Sequence, residues 1–455
     1  MKSKLARILV VLLLLVGLPL AAWRMFLAHG IEKELAEIRA AGLPTNGEEL
    51  NRWYPAVLDT QNAALVLTQA FALLKTINTY SDKRATEVWK LKDRFPVRAD
   101  QLTTEQVALI RWHVETNLPA LKKAREALKL PASRYPVDFN RLLSTELPHL
   151  AHLVNLAYLN QCEASLATLA GRNDQATTDI ADILTLGRTL DNEPILISQL
   201  VRLNMFKMAV ATLELRANAG VFNSNEIAIL REAFTRMPAT NTLTRALIGE
   251  RAMTIPYFRM TRAEAAKINS LKEGDDSRKD SPAPYNGAAI LKLIGYYELD
   301  YGSYLIAMNK AIALLSNSPP DNLRASRYLG RVGEASAERQ RTLSSVFLSA
   351  YAGVPRRENE GIADQRLALT ALAIEGFRNE IGRLPESLEK LKPKNFEKVP
   401  EDPFSGRELE YHRINAGYVI YSVGPDRVDN GGLEKADKSQ SDDKRSYDIT
   451  FTVER

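Results

Sequence analysis

Apolar residues recur with a helical period through most of the chain between residues 102 and 260. Only two to five residues separate these segments, so consecutive helices are expected to pack as antiparallel neighbours. Helical periodicity returns at residues 288–352, after a polar stretch with prolines and glycines at residues 268–287. The pattern therefore predicts a mainly α protein, in which residues 31–352 form an irregular α-helical array that carries an exposed polar loop.

Neighbouring helices of this array resemble the hairpins of tetratricopeptide-like proteins. One helical pattern stops at Gly171 and the next begins at Asn173, with alanines along the predicted crossing. No clean 34-residue period accompanies the pattern, so the resemblance extends to single hairpins and not to a regular repeat.

The pattern changes after residue 352. Residues 353–361 are polar and flanked by glycines, which predicts a linker. A strongly amphipathic helix follows and ends near Gly382. A helix on a three-stranded antiparallel sheet is enough for a small fold, so residues 362–455 are predicted to form an α+β domain. The three predicted strands alternate or are rich in aromatic and β-branched residues, and they cover residues 409–413, 417–423 and 447–454.

The strongest apolar signal lies near the start of the chain. Residues 8–28 are apolar except for Arg24, and basic residues stand at positions 2, 4 and 7. A helix of about 20 apolar residues spans a bilayer, and Arg24 would reach water at the far interface. We predict a cytoplasmic basic end and a transmembrane anchor over residues 1–30, with the remaining chain on the extracytoplasmic (periplasmic) side of the inner, or plasma, membrane. A cleaved signal peptide, with its site at residues 28–30, is the alternative.

Charge and cysteine content narrow the classes of function. The 60 Lys and Arg residues exceed the 55 Asp and Glu residues by five, but they are spread along the chain. No nucleic-acid motif accompanies them, so no nucleic-acid partner is expected. The single cysteine, Cys162, excludes an intramolecular disulfide and any multi-cysteine metal site, and its helical surroundings predict a buried thiol.

The C-terminal stretch resembles the soluble domain of the major pseudopilins of type II secretion and related type IV pilin-like proteins. In that family a helix leads to a Gly-x-Tyr-Pro-like turn, a Lys-x-Pro-x-Asp-Pro-x-Gly stretch and a Tyr-Ser-Leu-Gly-x-Asp strand end. The match covers about 90 of the 455 residues. The matching segments are Gly382-Arg383-Leu384-Pro385, Pro400-Glu401-Asp402-Pro403 with Gly406, and Tyr421-Ser422-Val423-Gly424-Pro425-Asp426.

The resemblance is restricted to this module. The start of the chain lacks the Gly-Phe junction and the early acidic residue of pilin-like proteins, and about 330 residues separate the predicted anchor from the module. The whole chain, including residues 42–55, looks like envelope proteins of planctomycete-type bacteria that end in such a module. The resemblance therefore implies a borrowed domain and not assembly into a pilus.

The resemblance also implies a calcium site in the last loop. Pseudopilins hold calcium there through carboxylates and main-chain oxygens, which are the ligands that calcium prefers. Asp426 matches the family's first aspartate and Asp448 a later one, but Tyr447 replaces a further aspartate. Asp429 is a substitute ligand, and Val423 would supply a carbonyl. Asp442 and Asp443 are further substitutes, and the alternative is a solvated turn in which the carboxylates bond local amides.

Other candidate chemistry is weaker. His149 and His152 share a helical face at a spacing that suits zinc, but no third ligand is evident, which favours histidines of helix packing. Tyrosines at residues 296–304 are typical of a helical core, and a peptide-binding groove is the alternative. No nucleophile motif or phosphate loop is present.

These patterns predict a non-enzymatic, membrane-anchored envelope protein whose helical array binds a protein partner. One alternative is a component associated with a type II secretion or pilus-like machine. A second alternative is a hydrolase whose site has no recognisable motif.

Overall fold

The computed structural model describes residues 2–75, 83–92, 95–96, 101–237, 242–260, 293–434 and 447–455, with side chains from residue 15 onward. Within these ranges the protein is mainly helical, with 68% helix and one three-stranded antiparallel sheet near the C-terminal end. The predicted fold class is confirmed at this level. The predicted polar loop at residues 268–287 lies outside the described residues.

Helices make up most of the described chain. Short 3₁₀ helices connect some of them, at Asp59–Gln61, Phe139–Ser144, Ile255–Phe258 and Leu388–Leu391. The longer helices are α1 Lys2–Ala40, α2 Gly47–Trp53, α3 Ala63–Leu73, α4 Lys83–Lys92, α5 Thr104–Ala127, α6 Pro148–Leu169, α7 Asn173–Arg188, α8 Leu196–Ala219, α9 Ser224–Thr235, α10 Thr242–Thr254, α11 Tyr296–Leu315, α12 Leu323–Glu338, α13 Thr342–Tyr351 and α14 Val354–Ile381.

Local sequence explains several helix ends. Thr103 caps α5, because its hydroxyl accepts the N–H of Gln106 and the Gln106 side chain accepts the N–H of Thr103. The α6–α7 hairpin turns at Gly171, which has a left-handed φ of 68°. Gly382, at φ 76°, ends α14 in the same conformation, as the sequence predicted.

The first helix has two environments. Ile31, Leu35 and Ile38 are buried against Tyr301 and Leu305 of α11, whereas the apolar side chains between residues 15 and 26 are largely exposed. Among the residues whose side chains are described, no helix has both the length and the apolar character needed to cross a membrane. Residues 8–14 of the predicted anchor lie outside that set.

The sheet follows the predicted strands. β1 (Glu410–Ile414), β2 (Gly417–Ser422) and β3 (Ile449–Glu454) pair in this order, both times antiparallel. β2 is buried along its whole length because it is the central strand and α14 packs on it. Gly417 is required at the hairpin, since a Cβ there would lie 1.8 Å from the carbonyl oxygen of Val453.

The predicted linker at residues 353–361 is wrong. These residues form the first two turns of α14, with Gly353 before the helix and Pro355 in its first turn, where a proline costs no hydrogen bond. α14 packs on α8 and α9 as well as on β2 and β3. The array and the sheet therefore share one continuous core, and its buried members include Leu156, Ile183, Phe206, Leu230, Leu372, Ile420 and Phe451.

The tyrosine stripe contributes to a second core. Tyr304 is fully buried between α10, α11 and α13, and Tyr301 stacks on Phe258 with ring centroids 5.1 Å apart. The core role predicted for this stripe is confirmed for these two tyrosines. Tyr296 and Tyr297, at the start of α11, are only partly buried.

Candidate basic groove and apolar collar

An open groove runs between α11 and α12, and we call it the basic groove. It consists of two adjoining cavities of about 680 and 370 Å³ that share Lys310, Tyr328 and Arg331. Its floor includes Leu314, Tyr328, Val332 and Ala335, and Glu334 is its acidic lining residue. Its basic lining residues are Lys310, Arg324, Arg327, Arg331, Arg339 and Arg341.

The periodicity of α12 aligns these arginines. Arg324, Arg327 and Arg331 are spaced by three and four residues, so they share a helical face. Gly333, on another face of α12, packs closely on α13, since a Cβ there would lie 2.5 Å from Ser349 Oγ. Gly330 borders the groove, and a Cβ there would meet nothing within 4 Å. The helix thus docks through a glycine and leaves its arginines in solvent.

Most of the positive charge in the groove is not neutralised. Arg324 pairs with Asp321 at 2.9 Å, but both side chains are exposed, so the pair contributes little. Arg327, Arg331 and Arg339 form no ion pair with any described residue. Lys310 Nζ lies 4.8 Å from the ring centroid of Tyr328. Burial raises the pKa of the Tyr328 phenol, which therefore stays neutral beside these cations.

One end of the groove lies beside α1. Tyr296 donates its hydroxyl to the carbonyl of Gln340, just beyond α12, and Arg341 donates to Ser303 of α11. The start of α11 contacts α1 at the same level, because Arg24 forms an ion pair with Glu298. The groove therefore extends away from the point where α1 leaves the body of the protein.

Exposed apolar side chains surround this point, and we call them the apolar collar. They come from α1 and from the turn before α11, and the indole N–H of Trp23 donates to the carbonyl of Ile294 at 3.2 Å. Their exposed fractions lie between 41% and 73%. Grouped apolar exposure of this kind marks an interaction surface in a soluble body. The collar consists of Trp23, Met25, Phe26, Leu293 and Ile294.

The predicted calcium loop holds its carboxylates against its own backbone. Asp426 accepts the N–H of Val428 at 3.2 Å. Asp429 accepts the N–H of Gly431 at 2.8 Å and the hydroxyl of Tyr421 at 3.1 Å. The two bonds from loop amides are those of the solvated-turn alternative, whereas the Tyr421 bond comes from a side chain of β2.

Asp448 and Val423 also have protein partners. The Asp448 carboxylate accepts the N–H groups of Asn430 and Gly432, at 3.2 and 2.8 Å, and burial raises its pKa. The N–H of Val423 donates to Asp402, at 2.8 Å. Asp402 is buried, so this bond holds residues 400–406 against the end of β2.

The structure brings Asp429 and Asp448 close to the same loop amides but does not complete a calcium shell. Across the described residues, no group of three or more His, Cys, Asp or Glu side chains is placed to hold a metal ion. Asp442 and Asp443 lie outside those residues. Calcium binding stays a prediction.

The two candidate zinc histidines have different partners. His149 Nε2 lies 3.0 Å from the Glu193 carboxylate, and its ring stacks on Tyr135 at 4.1 Å. His152 stacks on a phenylalanine of α3. The hydroxyl of Ser198 donates to Glu193 and not to His149, so it forms no nucleophile–base pair. Both histidines serve helix packing, as the sequence favoured.

A largely buried group of three carboxylates, of which Asp179 is fully buried, surrounds one arginine between α5, α6 and α7, and we call it the Asp179 cluster. The Arg125 guanidinium contacts Glu163, Asp179 and Asp182 at 2.8, 2.6 and 3.2 Å. Burial, with repulsion from Glu163, raises the pKa of Asp179 to about 8 despite Arg125. Burial also raises the pKa of Asp182 to about 6. Fully buried Asp179 shares one cation with two partly buried carboxylates, so its protonated form is favoured at neutral pH.

No protein-family model, curated protein or solved structure matches the chain. The candidate surfaces therefore depend on geometry and charge alone.

The sequence prediction missed the basic groove. Its signal was present in the arginine spacing of residues 324–331, on an otherwise amphipathic helix. The collar residues Leu293 and Ile294 were missed as well, because nothing local to them indicates that they meet Trp23.

Proposed function

We propose that this is a non-enzymatic, membrane-anchored envelope protein, with residues 8–28 in the inner membrane and its helical body on the extracytoplasmic side. The observation that carries the proposal is the apolar collar. Two segments about 270 residues apart place exposed apolar side chains at one level, where α1 leaves the body. A bilayer surface at this level would cover them.

Charge at the collar supports the same placement. Arg24 is the one charged residue within residues 8–28, and Glu298 neutralises it at the body surface. A charged arginine at the centre of a membrane helix costs about 2.5–3.5 kcal/mol on insertion scales, and much less at the interface. Trp23 suits this level as well, because indole rings concentrate at membrane interfaces.

The proposal is tested by reconstituting the full chain in vesicles that contain brominated phosphatidylcholine, which quenches tryptophans within the bilayer. Trp23 should be quenched, so wild type should lose more fluorescence than the Trp23→Phe variant, which retains the other three tryptophans. Replacing Leu293 and Ile294 by aspartate should reduce the Trp23 quenching. The matched change at Ile306, an exposed residue of α11 away from the collar, should not. Equal quenching of wild type and Trp23→Phe would contradict the proposal.

One further observation favours a role beside a type II secretion or pilus-like machine. α14 packs on a three-stranded antiparallel sheet, which is the arrangement implied by the pseudopilin resemblance. Co-purification of the detergent-solubilised chain with pseudopilins is the test, and their absence from the purified material would remove this role. A hydrolase has no observation in its favour among the described residues.

A further inference from the structure

We propose that the basic groove binds an extended, acidic peptide segment of a partner protein. This inference deepens the proposed binding role by naming the chemistry of the partner. It depends on the groove between α11 and α12 and on no residue of the C-terminal loop.

The dimensions of the groove suit an extended peptide. From Arg324 to Arg339 the chain advances 15 residues, which at about 1.5 Å per residue is about 22 Å. An extended chain covers about 3.3 Å per residue, so about seven residues fill this length. The groove is open along its side, which lets a segment of a longer partner enter without a free end.

The lining specifies the side chains of that peptide. Leu314, Tyr328 and Val332 provide an apolar floor, whereas the rim carries six basic residues against Glu334 alone. Successive side chains of an extended peptide point to opposite sides. A segment that alternates acidic and apolar residues therefore places carboxylates at the arginines and apolar groups on the floor. Arginine binds carboxylates in bidentate geometry, which favours Asp and Glu.

Position favours a peptide over the headgroups of anionic lipids. Arg339 and Arg341 lie at the collar end of the groove, beside Gln340. Arg324 precedes Gln340 by 16 residues, which at about 1.5 Å per helical residue places it about 24 Å from that end. The headgroup layer on one side of a bilayer is only about 5–8 Å thick. With the membrane at the collar, a step that rests on the proposed function, lipid headgroups reach one end of the groove and leave the remainder unoccupied.

The test measures binding of one defined probe to the full chain in phosphatidylcholine nanodiscs. The probe is a fluorescein-labelled heptapeptide, Glu-Leu-Asp-Phe-Asp-Leu-Glu, and its binding is followed by fluorescence anisotropy. Wild type should bind it, and affinity should fall as salt is raised, because the rim charges are exposed to solvent. The same peptide with lysine at every acidic position should not bind.

Two variants and one control locate the site. Arg327→Glu combined with Arg331→Glu should weaken binding at least tenfold. Gly330→Leu should also weaken it, because a Cβ at this position meets nothing within 4 Å and the larger side chain would occupy space in the groove. Arg111→Glu, an exposed arginine on α5, should change affinity less than twofold. Failure of wild type to bind, or equal weakening by the Arg111 control, would overturn the proposal.

A lipid arm distinguishes the competing ligand. Native mass spectrometry of the detergent-solubilised chain should show no phosphatidylglycerol whose retention depends on Arg327 and Arg331. Retention by wild type and loss in the double variant would assign the groove to lipid and overturn the peptide proposal. A failure of membrane anchoring appears separately, as equal quenching in the brominated-lipid experiment, and leaves peptide binding measurable.

Discussion

Side chains of α8 form hydrogen bonds with the outer edge of β3, and this contact predicts how the molecule unfolds. β3 has β2 on one side only, so the outward backbone groups of Thr452 and Glu454 need other partners. Asn218 of α8 donates to the carbonyl of Thr452 and accepts the N–H of Glu454, both at 2.8 Å. Glu214, one turn earlier, accepts the N–H of Thr452 at 3.0 Å.

Replacing Asn218 by alanine removes both of its bonds to β3 at once. Each hydrogen bond contributes a net 0.5–1.5 kcal/mol, so we expect the free energy of unfolding to fall by about 1–3 kcal/mol. Urea denaturation followed by circular dichroism measures this loss. Asn204→Ala is the matched control on the same helix, since Asn204 is exposed and its side-chain hydrogen bond among the described residues is a weak one to the sulfur of Met208, at 4.0 Å. The control should stay within about 0.5 kcal/mol of wild type.

The same experiment tests whether sheet and array form one cooperative unit. The backbone amides of β2, β3 and α8 should lose their protection against hydrogen exchange at the same urea concentration, because their residues share one core. A loss below 0.5 kcal/mol in Asn218→Ala would refute the reasoning. So would opening of the sheet while α8 remains protected, which would indicate a separately folding C-terminal domain.

Three further predictions follow from other parts of the structure. Gly330→Ala should stabilise the chain by up to about 1 kcal/mol, because alanine has the higher helix propensity, whereas Gly333→Ala should destabilise it because its Cβ would lie 2.5 Å from Ser349 Oγ. Thermal unfolding compares the two variants, and equal shifts in melting temperature would contradict the packing of α12 on α13. Because the pKa of Asp179 is raised, the folded state binds more protons than the unfolded state between about pH 4 and 8, and the contribution of Asp179 to stability is lost as pH rises through that window. Asp179→Asn should flatten the dependence of the unfolding free energy on pH, measured from denaturation curves at several pH values. An unchanged dependence would assign the titration to another group. Asp448→Ala should lower the free energy of unfolding by about 1–3 kcal/mol, because it removes the acceptor of two loop N–H groups. If the loop binds calcium, 1 mM calcium should raise the melting temperature of wild type and not that of the variant, and an unchanged wild-type melting temperature would contradict calcium binding.

The strands and the end of α14 could be predicted because their signals are local. Alternation along residues 417–423 and the glycine at 382 depend on short-range geometry, and the structure places β2 and the end of α14 there. Glycine was a misleading signal at residues 353–361, where it led to the wrong prediction of a linker. Gly361 looked like a breaker, but it lies inside α14 where a Cβ would come within 2.6 Å of the Leu203 side chain, so close packing explains the glycine.

The basic groove and the apolar collar could not be predicted from the sequence, because both are formed by contacts between residues far apart in the chain. The arginine spacing of α12 was visible, but only the contact of Gly333 with α13 decides which face of the helix is buried. Lys310 joins the groove through the pairing of α11 with α12. The collar needs Trp23 and Ile294 side by side, and no local pattern reports a contact between residues so far apart in sequence.

The most direct test of the proposed anchoring locates the start of α1 and the helical body relative to the membrane. Cysteines are introduced singly at Ser3 and at Lys122, an exposed residue of α5, and intact spheroplasts are treated with a membrane-impermeant maleimide. The native Cys162 gives little background, because it is buried and burial raises the pKa of its thiol to about 12. If residues 8–28 anchor the chain as proposed, Lys122→Cys is labelled in intact spheroplasts and Ser3→Cys only after lysis. Labelling of Lys122→Cys only after lysis, or recovery of the chain in the soluble fraction, would contradict it.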